Sequence, residues 1–409
     1  MSQRASTYTR WSVIASGEGG GRIASRFITR TDNPGIEDRI VVMNTNRTDI
    51  RNTVDRLGDR FGEDVSLEGG ARPLGFTFGS LDGVGNDFVG GEMCAHESLD
   101  SPIMEQLEAA GIFTDSDAFL YTTTLGGGTG NGSVPYLINE LKDDSSGAGR
   151  TVSGHVALAA WPYHYEGGQT HFNAVCGLSR LLRWYDGEQN ADMVLLVSNS
   201  HVAEELSDGD GDENERVNER IMQALDLMIG AGRNTRDVVD VRDYVQRPSQ
   251  LDAYQFTPAV ETGIDSIYEL ELMFDRAAGK AFVPLEPTTS RVLYAIVRAP
   301  KHLVDAGEYS ATDVKRELES WRRARGYDDV RHSMASLTPV ERSDDTVDVL
   351  LLFGGFDLAP LLDRSMDHFE WYMDQAESGE LNLGTDGEYF PVKRYRRIRR
   401  NLEDYRERR

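Results

Sequence analysis

Between Phe119 and Lys142 the chain turns through Gly126-Gly127-Gly128-Thr129-Gly130-Asn131-Gly132. The preceding run, Ala118-Phe119-Leu120-Tyr121-Thr122, reads as a buried strand. The following run, Val134 to Lys142, puts Leu137, Ile138 and Leu141 on one helical face. A glycine run between strand and helix lets the backbone approach a ligand closely and adopt φ > 0. Successive N–H groups, backed by the partial positive charge of the helix N-terminus, then form a cup for an anion. Thr129 and Ser133 offer hydroxyls to the same anion. A turn alone needs fewer glycines, so the stretch predicts phosphate binding. It is not a Walker loop, because no Gly-Lys-Ser/Thr follows.

Other strand ends repeat the theme. Trp11-Ser-Val-Ile-Ala15 reads as a strand running into Gly17-Glu18-Gly19-Gly20-Gly21-Arg22-Ile23, a second strand–glycine–helix element. Arg39 to Asn44 reads as the next strand, with Asn44-Thr45-Asn46 at its tip. Residues 58–92 read mostly as loop and contain Gly83-Val84-Gly85-Asn86, with a helix expected from about Glu92 to Ala110. His155–Trp161 is a strand, Glu166-Gly167-Gly168 a loop, and a helix runs through Asn173 to Tyr185. Ala191–Val197 is a strand tipped by Ser198-Asn199-Ser200. Alternation of this kind predicts a parallel α/β sheet whose ligand sits at the carboxyl ends of the strands.

Past the acidic loop 207–212, a helix spans Glu213 to Ile229, with Val217, Ile221, Leu225 and Met228 as its buried stripe and Asn214 and Asn218 beside it. The alternating Asp208, Asp210 and Asp212 lack the glycine a calcium loop needs at its sharp turn, so no metal is assigned there. Asp237 and Asp240, three apart, share one face if the segment is helical. After a loop-like stretch come a helix over 264–278, a strand over 290–298, a helix over 311–325, strands over 330–339 and 347–353, and a helix over 360–376. That α+β pattern carries no phosphate loop. The tail, Lys393 to Arg409, holds nine basic and three acidic residues. It reads either as a solvated terminal helix or as a basic arm toward an acidic neighbour or anionic lipid.

Taken together, these loops resemble the tubulin/FtsZ superfamily of GTPases, and most of all its archaeal CetZ group. Gly126–Gly132 is similar to the superfamily's glycine signature, Gly17–Ile23 to its first phosphate loop, and Gly83–Phe88 to the loop near the γ-phosphate. Glu166-Gly-Gly with Asn173, and Val217–Ile221 through Gly230-Ala-Gly232, look CetZ-like. The resemblance covers residues 11–245 motif by motif. It implies an α/β fold: a Rossmann-like parallel-sheet GTPase domain (1–212) joined by a central core helix (213–232) to a smaller α+β domain (233–390), with a basic tail (391–409). It implies GTP/GDP held by Gly126, Gly127, Gly128, Thr129, Gly130, Asn131 and Gly132. Gly17, Glu18, Gly19, Gly20 and Gly21 would lie near the α/β-phosphates, and Gly85 and Asn86 near the γ-phosphate. Asn44 would follow strand two, Glu166 and Asn173 would serve the ribose side, and Asn199 and Asn218 would bracket the guanine.

It further implies that Asp237 and Asp240 of one subunit act on the nucleotide of the next. Hydrolysis then waits for head-to-tail self-assembly, serving cell shape or division, with membrane-linked adaptor proteins as further partners. Glu18 departs from the glutamine usual in the family. A carboxylate beside phosphates needs a cation, so Glu18 is a candidate ligand for Mg²⁺ or K⁺. Asn131 stands where Ser or Thr is usual.

Composition narrows the setting. A net charge of −25 with only five lysines suits a protein kept soluble in concentrated salt, so the expected home is the cytoplasm of a halophilic archaeon. The same acidity opposes general nucleic-acid binding. Cys94 and Cys176 form no CxxC, and no spanning segment is expected. Two alternatives stand beside the polymerising GTPase. One is a nucleotide-binding regulator that neither assembles nor hydrolyses efficiently. The other, a dinucleotide-dependent oxidoreductase, lacks the acidic ribose hook, because strand two ends in Asn44-Thr45-Asn46.

Overall fold

In this computed structural model the described residues are 9–408, without 31–34, 37–38, 54–73, 80–81, 115, 144–153, 207–211, 232–240 and 382–391. Asp237 and Asp240 therefore lie outside the described residues.

The strands are β1 (Trp11–Ser16), β2 (Ile40–Asn44), β3 (Gly75–Thr77), β4 (Ala118–Thr124), β5 (Gly154–Trp161), β6 (Met193–Ser198), β7 (Gln255–Asp265), β8 (Val292–Pro300), β9 (His332–Val340) and β10 (Thr346–Gly354). They form one ten-stranded sheet in the order β3-β2-β1-β4-β5-β6-β7-β10-β8-β9. From β3 to β6 every pairing is parallel. The parallel β6–β7 seam rests on two residue pairs, Val194–Gln255 and Leu195–Phe256. Beyond it β10 pairs antiparallel with both β7 and β8. Strands of the first half are buried on both faces, in keeping with their largely apolar sequences.

The helices are α1 (Gly17–Arg30), α2 (Phe88–Glu97), α3 (Glu105–Ala109), α4 (Thr129–Asp143), α5 (Gly168–Leu182), α6 (Asn199–Glu205), α7 (Glu213–Gly230), α8 (Val241–Gln250), α9 (Leu270–Ala278), α10 (Lys301–Ala306), α11 (Ala311–Ala324), α12 (Ala359–Ser378) and α13 (Val392–Glu407). Residues alternate along each strand, so the core divides in two. Ile14 and Tyr121 pack on one face with α4, α5, α12 and α13, whereas Val13, Ala15 and Leu120 pack on the other with α7. In α7 the expected stripe of Val217, Ile221, Leu225 and Met228 is buried. The Asp212 side chain caps the helix, accepting from the Glu215 N–H at 2.9 Å.

Three segments differ from expectation. The helix expected from Glu92 starts at Phe88, because Asp87 is its N-cap and accepts from the Val89 N–H at 3.0 Å. It does not run through to Ala110: Ser101 is extended (φ −147, ψ 127) ahead of Pro102. The stretch read as a loop before 264 contains α8 and the eleven-residue β7, and the next helix starts at Leu270. Pro258 disguised that strand. Since β7 parts from β6 after Phe256, the missing proline N–H costs no bond on that side. The basic tail is neither a loose arm nor fully solvated. Tyr395, Ile398, Leu402 and Tyr405 of α13 are buried, and the Ser179 hydroxyl donates to the Ile398 carbonyl at 2.7 Å. The arginines interleaved with this stripe concealed its helical period.

Candidate functional site

The chain leaves β1 toward β2 and β3, and leaves β4 in the opposite direction toward β5 and β6. The β1–β4 boundary is thus the switch point of the parallel half, where loops diverge and leave a crevice at the strand ends. Both glycine turns lie there. A Cβ at Gly130 would stand 2.4 Å from Thr123 Oγ1 and 2.5 Å from the Ser16 carbonyl oxygen. One at Gly20 would stand 2.2 Å from the Thr122 carbonyl oxygen. Gly17 takes φ +77 with its Cβ position 3.0 Å from the Gly130 nitrogen. The two turns therefore touch backbone to backbone, which only glycine permits.

The crevice is a cavity of about 550 Å³, a size that suits a nucleotide. Of the expected residues, Gly17, Glu18, Gly19, Asn44, Gly85, Asn86, Gly126, Gly127, Gly128, Thr129, Gly130, Glu166, Asn199 and Asn218 line it. They come from the ends of β1, β2, β4, β5 and β6, from the loop ahead of α2 and from α7. The N-termini of α1 and α4 present N–H groups that have no partner within their helices. Asn199, at the end of β6, and Asn218 of α7 also line the cavity, and their side-chain amides carry both donor and acceptor. Asn214, one turn before Asn218, has its Oδ1 engaged by the Tyr163 hydroxyl at 2.9 Å. The Glu166 carboxylate accepts from the Tyr163 N–H at 2.9 Å, which fixes the loop between β5 and α5.

Five expected residues do not line the cavity. Gly20, Gly21 and Gly132 sit behind it, packed against β4, against Val42 and Thr53, and against α2, respectively. Asn131 is wholly buried and turns inward, donating to the carbonyls of Leu125 and Asn173. A fifth, Asn173, also lies behind. Its amide donates to the carbonyls of Asn86 at 2.7 Å and Gly126 at 3.0 Å, and so ties two cavity loops together. Asn131 and Asn173 thus hold the cavity loops from behind. Position in a motif does not distinguish the two roles, because helical rotation after the turn decides which way each residue faces.

The acidic character of one wall was missed. Asp49 and Asp82 line the cavity with Glu18, and Glu18 is ion-paired with Arg22. The i, i+4 spacing of Glu18 and Arg22 was a signal for that pair. Burial, and then the Glu18 charge, raise the Asp49 carboxyl above its ordinary range, partly offset by the Asn44 amide and Arg22. A wall of this kind fits a cation. Among the described residues no three acidic, histidine or cysteine side chains converge on one ion, so phosphate oxygens and water would have to complete its shell. Asn44 organises this side: its Oδ1 accepts from the Asn46 N–H at 3.1 Å and its amide donates to Asp49 at 3.3 Å. Thr45 and Thr129 hydroxyls lie 2.6 Å apart, linking the tip of β2 to α4. No described helix is long and apolar enough to cross a membrane.

Comparison with known proteins agrees with this geometry. Residues 10–207 match the profile described as the Tubulin/FtsZ family, GTPase domain. The tubulin-like protein CetZ of Pyrococcus horikoshii is 25% identical over 315 residues, covering 73% of this chain and 80% of that protein. Among solved structures, GDP-bound monomeric CetZ1 of Haloferax volcanii superposes with a TM-score of 0.71 at 18% identity, over 90% of this chain and 100% of the other. The GTPγS-bound protofilament of CetZ2 from the same organism superposes with a TM-score of 0.69 at 19% identity, again over 90% and 100%. Residues 10–207 are a GTPase domain of the tubulin/FtsZ family, within a chain that has the CetZ and FtsZ fold.

Proposed function

We propose that this protein binds GTP and GDP in the cavity at the β1–β4 switch point, assembles head-to-tail, and hydrolyses GTP at subunit junctions. The observation that carries the reading is the convergence of two glycine turns and two asparagines, Asn199 and Asn218, on a single cavity. N–H groups at the N-termini of α1 and α4 would bind the phosphates, and Asn199 and Asn218 the donor–acceptor edge of the base. The protofilament of the CetZ2 relative supports assembly. A heterologous contact of that kind builds an open filament, consistent with a role in cell shape or division.

Within this proposal Asp237 and Asp240 of one subunit complete the site of its neighbour. Phosphoryl transfer to water calls for a positioned water and charge neutralisation, and a carboxylate can orient that water. Glu18, with Asp49 nearby, would hold a Mg²⁺ or K⁺ ion, whose contribution when bound is to offset phosphate charge. GTP turnover measured against protein concentration, with light scattering in parallel at high potassium chloride, tests the reading. Turnover per subunit should rise steeply with concentration and collapse in Asp240→Ala while GTP binding persists. Concentration-independent turnover without filaments would instead establish a non-polymerising nucleotide-binding regulator.

A further inference from the structure

Behind the cavity lies a chain of polar side chains, none of which is among the residues that line it. Arg180 of α5 is fully buried and donates to both the carbonyl and the side-chain oxygen of Asn131, at 2.8 and 2.7 Å. Its other terminal nitrogen donates to the buried Glu92 of α2 at 2.7 Å, and its guanidinium lies 4.3 Å from the centre of the Phe88 ring. Glu92 also accepts from the Tyr185 hydroxyl at 2.7 Å and from Arg394 of α13 at 3.2 Å. In the other direction the Asn131 amide holds the Leu125 and Asn173 carbonyls, and Asn173 holds Asn86 and Gly126. A continuous series of hydrogen bonds thus runs from the backbone of two cavity loops to the C-terminal helix.

We propose that Glu92 and Arg180 are positioning residues for the phosphate-side loops, and that Arg394 makes the seating of α13 part of how tightly nucleotide is held. The inference rests on the nucleotide reading of the cavity. Arg180 suits the task because its rigid planar fork sets the relative placement of two partners, which the freely rotating ammonium of lysine does not. Losing Arg394 leaves Glu92 with one cation fewer in a water-poor setting, so Glu92, Arg180 and Asn131 must rearrange together. The carbonyls of Leu125 and Gly126 then lose their fixed anchor. Linkage makes the effect reciprocal: if seated α13 tightens nucleotide binding, bound nucleotide tightens α13.

The test compares Arg394→Gln with Arg396→Gln in the full chain. Arg396 lies on the same helix and pairs with Glu377, away from the chain of hydrogen bonds. Equilibrium binding of a fluorescent GTP analogue should weaken about five- to tenfold in Arg394→Gln and stay within about twofold of wild type in Arg396→Gln. Nucleotide should slow hydrogen exchange over 392–407 in wild type but not in Arg394→Gln. Arg180→Lys, which keeps the charge and loses the fork, should weaken binding further. If Arg180→Lys does not fold, the two glutamine variants decide. Wild-type affinity in Arg394→Gln, or equal losses in both variants, overturns the inference. Wild-type protein that binds no guanine nucleotide overturns the reading of the cavity instead, and the inference falls with it.

Discussion

Gly127 and Gly130 stand three residues apart in one motif, yet the structure separates what each does. In Gly130→Ala the new methyl meets Thr123 Oγ1 at 2.4 Å and the Ser16 carbonyl oxygen at 2.5 Å. The hydroxyl can rotate away, but the carbonyl belongs to the end of β1 and cannot. The two turns must open by about half an ångström to reach even the closest tolerable contact, and overpacking of this kind costs about 1–3 kcal/mol. In Gly127→Ala the nearest atom is Thr124 Oγ1 at 4.0 Å, itself on the cavity wall, so the methyl projects into open space. The folded protein should be unaffected to within about 0.5 kcal/mol. A methyl in the phosphate cradle should nonetheless weaken GTP at least about tenfold, or roughly 1.4 kcal/mol. Urea unfolding without nucleotide, followed by GTP titration, measures both. Gly130→Ala should lower the urea midpoint and Gly127→Ala should not, while both lose affinity. GTP binding by Gly127→Ala at wild-type strength would falsify the placement of phosphate at this turn. An unchanged midpoint in Gly130→Ala would refute the steric argument.

Three further outcomes follow from named contacts. Asn218→Ala removes the amide of a residue that lines the cavity, so GTP binding should weaken by about 1–3 kcal/mol with stability unchanged, measured by calorimetry and urea unfolding. Asp49 is ionised at a cost in the folded state. Because its folded pKa is raised, wild type loses stability relative to Asp49→Asn as pH rises from the unfolded to the folded value, and the difference persists above it. Asp49→Asn should thus be the more stable form at pH 7, and the gap should close below about pH 4, the ordinary aspartate value; a gap independent of pH refutes the assignment. Ile398→Ala empties a fully buried site beneath α13 and should cost about 2–5 kcal/mol in urea unfolding. A loss near zero would mean the C-terminal helix does not dock.

Local chemistry, written in consecutive residues, was enough to reveal the glycine turns, the parallel α/β half, the stripe of α7 and the polar tips of the strands. Glycine runs, apolar periods and caps depend on neighbours in sequence, so the chain alone determined that phosphate-sized turns end its strands. Sequence did not show β7, whose Pro258 falls where β6 has already diverged, nor the docking of α13, whose buried stripe is interleaved with arginines. It also could not separate Gly127, which faces the cavity, from Asn131, which turns away from it to Arg180. That distinction needs the sheet order, because only tertiary packing brings α2, α5 and α13 behind α4 and decides which side of each turn faces the ligand and which the core.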